Sequence, residues 1–504
     1  MMNKITTEDK AFFGHPRPLS SLFFTEMWER FSFYGIRPLL ILFMVATVNQ
    51  NGLGIDAVTA SAIVGIFGGA IYLAALPGGW VADNWLGQER SVWYGSLIIA
   101  LGHLSIALSA WLSVHFFYLG LIFIVIGSGL FKTCISVIVG MLYKEGDPRR
   151  DSGFSIFYMG INLGAFISPI IGGILNESYG WHAGFAVGGI GMLIALLIFR
   201  LKAMPDMRRF AKIEGIEPTW QTPSTISPLT KRIGLGSIAL IAVLFILISV
   251  GVIPFSPVAV VNYTTIIIAI TVGAYFLGLF FFAKLNKQER FQLIICLILF
   301  VAAAFFWSAF EQQPTSMNLF VDSYTDRTVW GFQIPTAWFQ SINSIFIIIF
   351  APLFAALWMA MSKRNIEPSS MTKFAFGLFF AAVAFICLYL ASNIVVGEGS
   401  RLASPMWMVA CMLFLTFGEL CLSPVGLSIM TKIAPKMIRG QIMGLWFASV
   451  SLGNLVASKV GGNVQAETIG DLPNIFMTII IALAVVGVLL LFINLVVRRY
   501  VKNV

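Results

Sequence analysis

The stretch "FMTIIIALAVVGVLLLFINLVV" at 476–497 contains no charged residue, and runs of this kind recur along the whole chain. A helix rising 1.5 Å per residue needs about 20 apolar residues to cross a hydrocarbon core roughly 30 Å thick. A closed β-barrel is the other spanning solution, but its strands alternate apolar and polar positions in segments of about ten residues. These runs do not alternate, so they predict helices. Of the 504 residues 58% are hydrophobic and 11% charged, more apolar surface than a water-soluble fold can hide. The chain reads as an all-α, multi-pass membrane protein. Its N-terminal "NKITTEDK" is polar, and the first apolar run carries charges and no small-residue cleavage site, so no cleavable signal peptide is expected.

Spans are expected near 19–47, 57–82, 91–112, 115–142, 153–176, 183–201, 233–251, 260–283, 291–312, 334–361, 371–391, 403–431, 437–461 and 474–498, which makes fourteen transmembrane helices. Lysine and arginine mark every second connection, and of the intervening ones only those with Arg327 and Arg401 carry any. "YKEGDPRRD", "RLKAMPDMRRFAK", "AKLNKQER", "MSKRNIEPSSMTK" and "TKIAPKMIR" are basic, whereas "TVNQNGLGID", "NESYGWH" and "GVIPFSPVAVVNY" carry no lysine or arginine. Positive charge stays on the cytoplasmic side, so both termini are placed there. The net charge of +9 is thus a topology signal and an attraction to anionic lipid, with no nucleic-acid partner implied. The longest polar connection, 202–232, divides the chain. We expect an N-terminal six-helix bundle at 14–201, a cytoplasmic linker at 202–232, an inserted helix pair at 233–283 and a C-terminal six-helix bundle at 291–498. Six plus six around a midplane site is the arrangement of major facilitator transporters.

Seven acidic and basic residues fall well inside the expected spans: Glu26, Glu29, Arg30, Arg37, Lys132, Glu311 and Glu419. At about 2.5–3.5 kcal/mol each they would cost roughly 20 kcal/mol if left unpaired, more than a typical fold stability of about 5–15 kcal/mol. They must pair, face water or take up protons. Glu26 lies one helical turn before Arg30, and Arg30, Tyr34 and Arg37 share a face. Glu419 and Ser423 are also one turn apart. Four acids against three bases leave a net −1, which one proton or one cation neutralises. Cys134, Cys296, Cys387, Cys411 and Cys421 all sit in apolar runs and read as buried hydrophobes. His103 reads as a packed, polar-paired histidine, with a proton relay as its alternative. No metal-ligand spacing and no nucleophile–base pair stands out, so neither a metal site nor an enzyme is expected.

Several longer motifs carry a resemblance. "EMWERFSFYG" resembles the Glu-x-x-Glu-Arg-Phe-x-Tyr-Tyr-Gly signature of the proton-dependent oligopeptide transporters, a branch of the major facilitator superfamily. "FSIFYMGINLGAF", "GGWVADNWLGQER", "FWSAFEQQ", "WFQSINSIFIIIFAPLFAALW", "GELCLSPVGLSIMTKIAP" and "GLWFASVSLGN" are similar to further family motifs in the same order, so the resemblance runs from about 14 to 498. It implies inward transport of di- and tripeptides driven by protons, by alternating access, with the pair at 233–283 matching the two extra helices of bacterial members. By resemblance, Arg37 and Lys132 hold the peptide carboxylate, with Tyr34 and Asn162 alongside, and Glu419 holds the amine, helped by Asn343. Tyr72, Tyr158, Trp307, Ser423 and Trp446 line side-chain pockets. Glu26, Glu29 and Arg30 couple protons, and Lys132 and Glu311 form a gating salt bridge. No cofactor beyond the coupling proton, a working monomer and the bacterial cytoplasmic membrane are expected. The sequence departs from the family pattern at Phe33, which replaces a tyrosine, and at Thr133 and Cys134 beside Lys132. A same-fold carrier of amino acids, nitrate or peptide-like drugs is the alternative reading.

Overall fold

The computed structural model describes residues 10–144, 146–215, 219–221, 228–397, 402–435, 441–465 and 469–497. The expectation that both termini are cytoplasmic concerns 1–9 and 498–504, outside the described residues.

The chain is almost wholly helical. Its first six long helices are α1 (Pro18–Val45), α2 (Ala57–Val81), α3 (Gln88–Leu108), α4 (Val114–Met141), α5 (Arg149–Tyr179) and α6 (Trp181–Ile198). A short helix α7 (Met204–Glu214) precedes α8 (Pro228–Ser249) and α9 (Pro257–Phe282). Then come α10 (Lys287–Phe310), the two-turn α11 (Asn318–Tyr324), and a two-stranded hairpin, β1 (Thr328–Val329) against β2 (Phe332–Gln333). The chain closes with α12 (Phe339–Lys363), α13 (Ser370–Gly397), α14 (Met406–Ile433), α15 (Ile442–Gly461) and α16 (Leu472–Val497). Each expected span thus coincides with a long helix among the described residues. Eleven segments among them are long and apolar enough to cross a bilayer. The first helix is not one of the eleven, because its 28 residues include Glu26, Glu29, Arg30 and Arg37.

Two compact units emerge, one of Met1–Ile36 with Leu73–Ser256, the other of Arg37–Tyr72 with Pro257–Val504. The boundary passes through α1 between Ile36 and Arg37 and through α2 between Tyr72 and Leu73.

Within the first unit, α3 and α4 touch backbone to backbone at two glycine pairs. A Cβ on Gly95 would stand 2.7 Å from the Gly127 carbonyl oxygen, and one on Gly127 would stand 2.6 Å from that of Gly95. Gly102 and Gly120 repeat this contact reciprocally at 2.8 and 2.6 Å. Helices in lipid gain little from hydrophobic burial against each other, so small residues that allow close van der Waals packing supply the association. The expected linker is not featureless. The chain leaves α6 through a π-turn at Phe199–Ala203 into α7, which ends at Gly215 with φ +64°, a backbone conformation suited to glycine. Arg208 of α7 and Gln221 of the following turn donate to the two oxygens of buried Glu89 on α3, at 2.7 and 2.9 Å, and Trp220 is fully buried.

In the second unit, Asn286 starts α10 with a reciprocal cap. Its side chain accepts from the Glu289 amide at 2.9 Å and the Glu289 carboxylate accepts from the Asn286 amide at 3.0 Å. The helix stops at Phe310 because Pro314 lies just beyond, and a π-turn at Gln313–Met317 leads into α11. The unit's centre is α13, which packs on α14 and α16.

Candidate functional site

In the first unit the sequence expectation concentrates on α1. Glu26, Glu29 and Arg30 are only 2%, 2% and 5% exposed. The Arg30 Nε lies 2.7 Å from Glu26 Oε1 and 3.1 Å from Glu29 Oε2. One guanidinium therefore serves two carboxylates. Glu26 Oε2 has no hydrogen-bond donor among the described residues, and Glu29 Oε2 has only its ion contact with Arg30. Lys132 on α4 is a further charge acting on Glu29. The cluster is buried where α5 presses on it. A Cβ on Gly160 would come within 2.9 Å of the Phe23 ring, and one on Gly164 within 3.2 Å of the Arg30 Cβ. The two glycines of "FYMGINLGAF" thus let α5 lie against the charged turn of α1. Between them, buried Asn162 donates to the Tyr158 carbonyl at 3.0 Å, while the Tyr158 side chain is exposed. Tyr34 and Lys132 are partly exposed.

His103 on α3 is buried, with its Nε2 2.6 Å from the Ser32 Oγ on α1. A Cβ on Gly188 of α6 would come within 2.7 Å of its ring. The histidine is packed and polar-paired.

The second unit holds the remaining site residues in three groups. Arg37, the first residue of this unit, donates through Nη2 to Glu311 Oε2, and the Glu311 side chain is only 2% exposed. In the structure Glu311 has a partner in Arg37; the expected pairing with Lys132 joins residues of the two separate units. Glu311 is held where α10 gives way to the π-turn, and Gln312, Gln313, Thr315, Ser316 and Asn318 are all buried around it. Ser316 donates to Gln312 Oε1 at 2.6 Å, and Asn318 donates to the Pro38 carbonyl at 2.6 Å, tying this polar break to the turn of α1 that carries Arg37.

The second group is Glu419 on α14. Asn343 on α12 donates to its Oε2 at 3.3 Å and to Thr416 Oγ1 at 3.0 Å. Glu419 keeps part of its surface open, as does Ser423 one turn on. Glu311 and Glu419 are close enough to act on each other electrostatically. The third group is aromatic. Trp307, one turn before Glu311, meets Trp446 edge to face with ring centroids 6.3 Å apart, and Tyr72 tilts against Phe447 at 6.2 Å. The two tryptophans are 7% exposed, and Trp307 Nε1 has no partner among the described residues.

Chemically, the first unit presents two acids on one base. The second presents a buried acid–base pair and a separate carboxylate with an amide donor. Thr416, Gln312 and Asn318 join these groups although sequence reasoning passed over them.

Comparison with known proteins places this architecture. The model of the POT family matches residues 89–475. The chain is 55% identical over 498 residues to the peptide transporter YePEPT of Yersinia enterocolitica subsp. palearctica, covering 99% of this chain and 98% of that one. It is 34% identical to a di-/tripeptide transporter of Lactococcus lactis subsp. cremoris, covering 98% of each. A crystal structure of a peptide transporter POT in complex with sulfate superposes with a TM-score of 0.87 at 37% identity, over 98% of this chain and 97% of the other. The ordered motifs of α1, α5, α10, α12, α14 and α15 therefore have one explanation: this multi-pass helical membrane protein belongs to the POT family, with the major facilitator fold of its solved relatives.

Proposed function

We propose that the protein is a secondary active transporter that imports di- and tripeptides together with protons by alternating access. The observation that carries this reading is the buried Glu26–Arg30–Glu29 cluster. Two buried carboxylates share one guanidinium, with Lys132 acting on Glu29 as well, so protonating one carboxylate frees positive charge for another partner. Proton uptake at this cluster supplies the coupling. Because the two carboxylates share one base, the proton belongs to the pair rather than to either residue.

The peptide is a zwitterion and needs a cationic and an anionic pole. Arg37, with its planar fork, and Lys132, a point charge, take its carboxylate, with Tyr34 and Asn162 as hydrogen-bonding neighbours. Glu419 takes its amine, oriented by Asn343. Tyr72, Tyr158, Trp307, Ser423 and Trp446 receive the side chains. Glu311 is the gate: it holds Arg37 when the site is empty and exchanges to Lys132 when a carboxylate claims Arg37. No cofactor enters this scheme, and a monomer in the bacterial cytoplasmic membrane suffices for it. The names of its relatives, a peptide transporter and a di-/tripeptide transporter, support the substrate class.

The test is uptake by the purified protein in liposomes under an imposed pH gradient, with single amino acids, dipeptides, tripeptides and N-blocked analogues. Accumulation of di- and tripeptides alone is expected. Accumulation of single amino acids or nitrate in their place would replace the substrate assignment.

A further inference from the structure

Asn343 and Glu419 share a third residue, Thr416, which lies on α14 about one turn before Glu419 and is fully buried. Helices α12 and α14 pack together, and Phe417 holds their register: its ring meets Phe350 edge to face at 4.9 Å and Phe354 at 5.4 Å. Phe350 follows Asn343 by seven residues, so both stand on the side of α12 that faces α14.

The hydrogen bonds here have a fixed direction. Thr416 donates its one hydroxyl hydrogen to the Met412 carbonyl at 2.8 Å, on the turn before it. Its oxygen is then left to accept only. A side-chain amide has one donor end and one acceptor end, so Asn343 must present its nitrogen. Its Nδ2 lies 3.0 Å from Thr416 Oγ1 and 3.3 Å from Glu419 Oε2. The two hydrogens on that nitrogen serve one acceptor each. Without the threonine hydroxyl the amide is free to turn over and set its oxygen against the Glu419 carboxylate.

We infer that Thr416 is a positioning residue for amine recognition, a role that rests on the reading of Glu419 as the pole for the peptide amine. It fixes which end of the Asn343 amide faces Glu419, and so holds that carboxylate in place for an ammonium. The exposures match this order of action. Thr416 is 0% exposed and touches no ligand, Asn343 is 9% exposed, and Glu419 keeps part of its surface open.

The test is competition in liposomes. A trace of labelled dipeptide is taken up, and the concentration of alanylalanine or of N-acetyl-alanylalanine that halves uptake is measured. Thr416→Val nearly keeps the shape of the side chain and removes the hydroxyl. It should raise the alanylalanine concentration roughly fivefold, the worth of one neutral hydrogen bond, and leave the acetylated peptide unchanged. Thr416→Ser, which keeps the hydroxyl, should match the wild type. In an Asn343→Ala background Thr416→Val should add nothing, because Thr416 acts through Asn343. No change in Thr416→Val would overturn the inference. An equal change for both peptides, or a loss in Thr416→Ser as large as in Thr416→Val, would reduce Thr416 to a packing role and overturn it too. So would a full further loss in the Asn343→Ala background. Glu419→Gln is measured alongside. If it raises the alanylalanine concentration while Thr416→Val does not, the amine reading stands and only the role of Thr416 falls. If Glu419→Gln changes nothing, the amine reading falls and takes this role with it.

Discussion

Replacing Arg37 by methionine is the sharpest perturbation of the second unit. Methionine keeps much of the length of the side chain and removes its charge. The Glu311 carboxylate, 2% exposed, then loses its cation. Removing one member of a buried ion pair costs about 3–5 kcal/mol, mostly through the charge left behind. At about 2 °C per kcal/mol, the purified protein should melt roughly 6–10 °C lower. Glu311→Gln should cost less, because the amide oxygen still accepts from Arg37 and Arg37 is the more exposed partner at 11%. The double variant Arg37→Met/Glu311→Gln removes both charges and should be more stable than Arg37→Met alone. Coupling between the two sites should reach about 2 kcal/mol or more. The assay is thermal unfolding of all four proteins in one detergent, followed by intrinsic fluorescence. If the losses of the single variants simply add in the double variant, Arg37 and Glu311 are independent and the pair is not what holds this turn.

Other consequences reach each level of the account. Lys132→Ala should abolish pH-driven dipeptide accumulation in liposomes, and normal accumulation would remove Lys132 from the scheme. Glu419→Gln removes a charge-assisted contact of about 2 kcal/mol, so the dipeptide concentration needed to compete for uptake should rise roughly thirtyfold, with little change for N-blocked analogues. Gly127→Ala places a methyl group 2.6 Å from the Gly95 carbonyl oxygen and should lower thermal stability by about 1–3 kcal/mol, whereas Gly236→Ala, which meets nothing within 4 Å, should not. The hydrogen bond from Lys373, followed by that from Ser362, holds the Glu367 carboxyl below its ordinary range. A carboxyl depressed in the native state stabilises the fold fully above the unfolded value of about 4.3, and the contribution is lost as pH falls on through the lower native value. The melting-temperature gap between wild type and Glu367→Gln should therefore be open at pH 7 and narrow as pH falls below the ordinary glutamate range.

The helices were legible in the sequence because a bilayer demands length and apolarity of each span separately, and both are local properties. The charges of α1 were legible for the same reason: Glu26, Glu29, Arg30 and Arg37 are conspicuous in an apolar context, and the four-residue spacing of Glu26 and Arg30 already pairs them. What stayed hidden depends on partners far away in the chain. Asn318 and the Pro38 carbonyl are 280 residues apart, and a lone asparagine or threonine has no periodicity to betray it. Thr416 escaped notice because it looks like any small polar residue in a span until Asn343 is seen to bridge it to Glu419. The connection after α6 read as a polar linker, since its anchoring rests on Glu89 and on a single buried tryptophan. Both members of the Arg37–Glu311 pair were recognised, but spacing along one helix cannot pair them with each other, because they lie on α1 and at the end of α10.

The claim beneath all of this is that a proton taken by Glu26 and Glu29 does the work of concentrating peptide. Its most direct measurement compares pH-gradient-driven accumulation with gradient-free exchange of labelled dipeptide in liposomes, for the wild type and for Glu26→Gln and Glu29→Gln. Both variants should retain exchange, and at least one of them should lose accumulation against a gradient. Undiminished accumulation in both variants would contradict it.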